Sequence, residues 1–178
     1  STKNRGESVL NMLADLKFIL PEIILISGAI FILILDLIFN LKQRLMAILS
    51  LFILSAALLF LSQANPSADN LFFGMLTYDS FAVFFKIIFI FIGLAIILIS
   101  VDYPEIPQNI RAEFYSFLLL IVSAMMLLVQ ARNLLMIYLG IEFISLISYV
   151  LAAYRRGHLK SSEAGLKYFL FGTACSIT

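Results

Sequence analysis

Apolar residues in this chain are gathered into blocks, not spread in alternation. Five runs are close to the roughly 20 residues that a bilayer-spanning helix needs. They are Phe18–Phe39, Leu45–Leu61, Phe81–Val101, Phe114–Val129 and Leu134–Tyr154, and a sixth opens near Ala164 and runs to Thr178. Lipid offers no partner to a backbone amide or carbonyl, so each run is predicted helical, and runs this long argue against the short alternating strands of a membrane barrel. The predicted fold is an all-α polytopic transmembrane helix bundle with five full spans plus the start of a sixth. Since the sixth run is shorter than a span, the chain reads as a fragment that stops inside that helix.

Composition sharpens this picture. Hydrophobic residues make up 62% of the 178 positions and charged ones 13%, with a mean hydropathy of +1.06. A soluble domain carries about a quarter of its residues charged, so a water-soluble fold is excluded. A formal charge of +1, with no dense basic tract, removes nucleic acid as a partner. The single Cys175 allows no intrachain disulfide, and the CxxC and HExxH spacings of metal sites are absent. The first run is too long for a signal peptide and is taken as a true span, while Ser1–Asp15 reads as a flexible polar tail.

Orientation follows from the bases in the short loops, which tend to remain cytoplasmic. Lys42, Arg44, Arg111, Arg155, Arg156 and Lys160 fall on one side, against Arg132 alone on the other; the Ser62–Ser80 connection carries Asp69 and Asp79 and no base. The amino end is therefore expected to face away from the cytoplasm, although Lys3, Arg5 and Lys17 of the tail oppose this.

Ionisable groups inside membrane helices are costly and are functional candidates by default. Four positions qualify: Asp36, Lys86, Glu142 and Lys167. Asp36, near the end of its helix, reads as interfacial. Lys86 lies some five residues into the third run, where snorkelling to the surface and an interior role are equally open. Glu142 stands near the centre of Leu134–Tyr154, out of reach of either interface. Tyr138, Glu142, Ser145 and Tyr149 share one helix face, a polar stripe predicted to look toward protein or trapped water. That setting suits a proton relay, with a structural carboxyl as the rival reading. Lys167 is expected about one turn into the sixth run, four residues after Glu163, which leaves relay and surface pair both open. Gly165 and Gly172 share a face on which a neighbour could approach and enclose the lysine. Pro21-Glu22 reads as helix-start chemistry, His158 as a solvated loop residue and Cys175 as a packing residue.

The segments LPEIILISG, YDSFAVFFK, EFYSFLLLIVSAMMLL, YLGIEFISLISYVLA and SSEAGLKYFLFG resemble subunit N of bacterial respiratory complex I (NADH-quinone oxidoreductase), whose mitochondrial counterpart is subunit 2. The resemblance implies an antiporter-like membrane subunit that pumps protons, with residues 16–101 as a preamble of three helices and 102–178 as the start of the first repeat. It implies that Glu142 and Lys167 carry the proton relay, supported by the stripe residues Tyr138, Ser145 and Tyr149, with Lys86 and Asp36 as secondary charges. It further implies that the subunit binds no flavin, metal or quinone itself, has the other membrane-arm subunits and lipid as partners, and lies in the bacterial inner membrane. A membrane scaffold and a cation/proton antiporter subunit are the alternatives.

Overall fold

The computed structural model describes residues 15–39, 42–63, 68–72, 74–101, 111–154 and 159–177. Among the described residues there are six long helices: α1 (Leu20–Phe39), α2 (Gln43–Gln63), α3 (Ser80–Ser100), α4 (Arg111–Gln130), α5 (Leu134–Ala152) and α6 (Leu159–Ile177). The first five are long and apolar enough to cross a membrane, and the chain is an integral membrane protein. The sixth begins at Leu159, five residues before the apolar run, because the polar SSE segment is helical too. The tail 1–14, the loop bases Arg155 and Arg156, and His158 lie outside the described residues.

The helix starts are legible in local chemistry. Asp79 caps α3 by accepting the Ala82 amide at 2.7 Å, and Asn133 caps α5 by accepting that of Leu135 at 3.1 Å. Each relieves an amide that has no partner inside the helix. At α1 the starting proline, Pro21, gives up an amide that the first turn would leave unbonded anyway.

Helix α4 is the centre of the bundle and packs against α1, α2, α3 and α5. Small residues set the closest approaches. A side-chain carbon at Gly28 of α1 would stand 2.6 Å from Ile53 of α2, and one at Gly93 of α3 would stand 3.0 Å from Val122 of α4. Such approaches let helices gain dispersion contacts where lipid supplies no hydrophobic driving force. Ser116 of α4 adds a polar tie by donating to the Ala29 carbonyl of α1 at 3.0 Å.

One element departs from the all-α expectation. The α2–α3 connection folds as an antiparallel hairpin of β1 (Ala68–Leu71) and β2 (Leu76–Tyr78), in which Gly74 takes a φ of 81°. Two strands this short give almost no periodic signal in sequence, and they hold only because Leu71, Leu76 and Tyr78 are buried on the helix ends. The hairpin is fastened to the rest of the chain by the Arg132 amide, which donates to the Met75 carbonyl, and by Asp15, which accepts the Phe72 amide. By the alternation of helices, Lys42, Arg44, Arg111 and Lys160 stand at the opposite end of the bundle.

Candidate functional site

Glu142 is the ninth residue of the 19-residue α5, roughly 12 Å from its start and close to its midpoint. It is half-buried. On the same helix Gly140 faces α4, where an added side-chain carbon would stand 2.9 Å from Leu128. Two residues on, at about 200° around the helix, Glu142 is turned away from that contact. The polar stripe is graded along its length: Tyr138 is exposed, Glu142 and Ser145 are half-buried, and Tyr149 is buried. Tyr149 is the member that meets protein, with its ring 4.7 Å from Tyr168 and 5.7 Å from Phe169 of α6.

Helix α6 approaches α5 along its glycine face, as the spacing suggests, but the approach does not enclose Lys167. Gly165 lies against Ala153 and Gly172 against Tyr149, while Lys167 is about 200° around from Gly165. Its ammonium pairs with Glu163 Oε1 at 2.6 Å, and both side chains are more than 60% exposed. This contact register puts Lys167 level with the last turn of α5. Seven to ten residues separate that turn from Glu142, so the two candidates differ in depth by roughly 10–15 Å. Asp36 is half-buried in the last turn of α1, in keeping with an interfacial position.

The most enclosed charges lie elsewhere. Lys86 of α3 is fully buried and its Nζ stands 2.6 Å from Oε1 of Glu22 in α1, which is also fully buried. Snorkelling is thus excluded for Lys86, and Glu22 does more than begin a helix. The Lys86 ammonium also lies 4.8 Å from the centre of the Tyr78 ring, within cation–π range. Phe18 covers the other partner of this stack, with its ring 5.1 Å from that of Tyr78. Tyr78 itself sits outside the spans; burial first, and the Glu22 carboxylate second, push its phenol up to about 12.

Sequence reasoning missed this pairing because each residue was weighed against its own helix. A topological signal was present: α1 and α3 start at the same end of the bundle, so a charge early in each falls at a similar depth. Neither α2 nor α4, which end there, offers a base in its last turn.

The family model described as the transmembrane domain of NADH:quinone oxidoreductase and Mrp antiporters matches residues 131–178, the stretch that contains α5 and α6. NADH-quinone oxidoreductase subunit N of Anaeromyxobacter sp. (strain Fw109-5) is 38% identical over 159 residues, covering 88% of this chain and 31% of that protein. Subunit N of Chlorobium chlorochromatii (strain CaD3) is 32% identical over 179 residues, covering 96% of this chain and 35% of that protein. The chloroplastic NAD(P)H-quinone oxidoreductase subunit 2 of Mesostigma viride is 35% identical over 166 residues, covering 91% and 33% respectively. The chain spans about a third of the length of the curated relatives it matches. With five helices of membrane-spanning length and relatives that match most of the chain, the chain belongs to the family of antiporter-like membrane subunits that includes NADH-quinone oxidoreductase subunit N.

Proposed function

We propose that this chain is part of a membrane-arm subunit of a proton-translocating NADH-quinone oxidoreductase, and that it moves protons through charged side chains of its membrane helices while electrons pass to quinone in other subunits. The observation that carries the reading is Glu142: a carboxyl at the midpoint of a helix apolar enough to span, turned away from α4, inside the stretch that the antiporter family model matches. A charge at that depth is costly and is kept where a proton or ion must pass. Glu142 takes up and releases the proton, and Lys167 hands it onward at a different depth; the exposed face of α6 on which Lys167 stands is where a further helix of the subunit would bring it a partner.

In this reading residues 16–101 form the preamble and 102–178 open the first repeat. The partners are the other antiporter-like and small membrane subunits, the location is the bacterial inner membrane, and the hairpin end faces away from the cytoplasm because the loop bases stand at the other end. The chain itself holds no flavin, iron–sulfur cluster or quinone.

The test is Glu142→Gln in the full-length subunit within the assembled complex, reconstituted in vesicles. The expected result is a lower proton-to-electron ratio with the complex intact. An unchanged ratio in an intact complex would refute the relay role and leave a membrane scaffold.

A further inference from the structure

Glu22, Lys86 and Tyr78 have no part in the relay through Glu142 and Lys167, yet Glu22 and Lys86 are the most deeply buried charges described and Tyr78 is fully buried beside them. The ion pair engages one oxygen of Glu22; the other, Oε2, and the Tyr78 hydroxyl are buried with no hydrogen-bond partner among the described residues. A tie made for stability alone is served as well by apolar side chains of similar volume, and a buried pair is weak evidence of a stabilising role. What the arrangement does supply is a carboxylate, an ammonium with protons to spare and an aromatic cover in one enclosure.

The position is also that of a gate. Glu22 is the third residue of α1 and Lys86 the seventh of α3, both starting at the hairpin end, which places Lys86 roughly 9 Å below that face. Among the described residues, the Tyr78 ring of the hairpin lies against Lys86, and Phe18 lies against Tyr78. Bonds that tie this cover to its surroundings include Arg132 to Met75 at 3.0 Å, Asp15 to Phe72 at 3.1 Å, and a Gln130 amide to the Phe18 carbonyl at 3.5 Å. A hairpin of two short strands at the end of the bundle can open locally while the helices stay packed.

We propose that Glu22 and Lys86 form a proton-exchange site beneath the hairpin, through which protons pass between the bundle interior and the water at that membrane face. This rests on the reading of the subunit as a proton carrier. In the step itself an Nζ–H bond of Lys86 breaks and an O–H bond forms on Glu22 Oε1, leaving a neutral amine and a carboxylic acid. When Tyr78 moves aside the acid gives its proton to a water at the face, and the amine takes one from a water on the interior side. The ion pair is restored with one proton moved.

The experiment uses the assembled complex with the full-length subunit in vesicles, comparing Glu22→Leu/Lys86→Met, Glu22→Gln and Glu142→Gln. The double apolar variant keeps the enclosure filled and free of lone charge, and is expected to assemble with a reduced proton-to-electron ratio. An unchanged ratio overturns the site. Should the double variant not assemble, infrared difference spectra of the turning-over complex decide: a protonated-carboxyl band lost in Glu22→Gln supports the site, and a band of full size in that variant overturns it. A ratio reduced by Glu142→Gln but not by the double variant removes this site and leaves the relay standing; the converse removes the relay assignment and keeps this site.

Discussion

Tyr149 of α5 fills the space in front of Gly172 of α6, so closely that a side-chain carbon at Gly172 would overlap the tyrosine hydroxyl. The contact fixes both the spacing of the two helices and the side on which Lys167 is left. Gly172→Ala is therefore expected to part α5 from α6 and to destabilise the folded protein by about 1–3 kcal/mol, as overpacked sites do. Thermal unfolding of the full-length subunit in detergent measures this, and Tyr149→Ala, which clears the space, should recover much of the loss. Equal melting of Gly172→Ala and the parent would mean that the helices do not meet here.

The ion pair between α1 and α3 makes a prediction about stability that is separate from proton movement. Removing one partner leaves the other charge buried alone, which costs about 3–5 kcal/mol, whereas replacing both with apolar side chains is close to neutral. Glu22→Leu and Lys86→Met should each lower the denaturation midpoint sharply, and the double variant should lie near the parent. Additive losses in the double variant would show that the two side chains do not act as a pair.

How much of this was legible in the sequence follows the range of each interaction. The five spans came through within a few residues, because apolar length is set by the bilayer and needs no knowledge of neighbours. Central placement of Glu142 came through for the same reason. The hairpin did not, since Leu71, Leu76 and Tyr78 hold it through contacts with helix ends remote in sequence. Glu22 read as helix-start chemistry, and Lys86 left snorkelling and an interior role equally open; what joins them is the parallel start of α1 and α3, a property of topology. For Lys167 the glycine face was read correctly, but the lysine lies on the opposite one.

Between α4 and α1 the Ser116 hydroxyl donates to the Ala29 carbonyl in a buried setting. That carbonyl already serves its own helix, so the tie is an added bond and its loss leaves no charge stranded. Ser116→Ala should cost about 1 kcal/mol, the usual net value of one buried hydrogen bond. Ser116→Val should cost more, because its second methyl enters the contact between the two helices. A denaturation series on the full-length subunit that ranks alanine below valine in stability would contradict this geometry.

Tyr78 offers a spectroscopic view of the enclosure. Its phenol is pushed up to about 12 by burial and by the Glu22 carboxylate, from an ordinary value of 10.0. The neutral form is the one favoured in the fold, so the stability it contributes is fully present below pH 10, where the unfolded chain also keeps the proton. It is lost as pH rises from there through about 12, as the unfolded state ionises first. The difference in phenolate absorbance between parent and Tyr78→Phe isolates this one tyrosine, and should rise near pH 12. Glu22→Gln removes the repelling carboxylate and should bring that rise to lower pH, while leaving the part due to burial. A Tyr78 that ionises near pH 10 in the folded parent would mean the hairpin does not seal the ion pair from water.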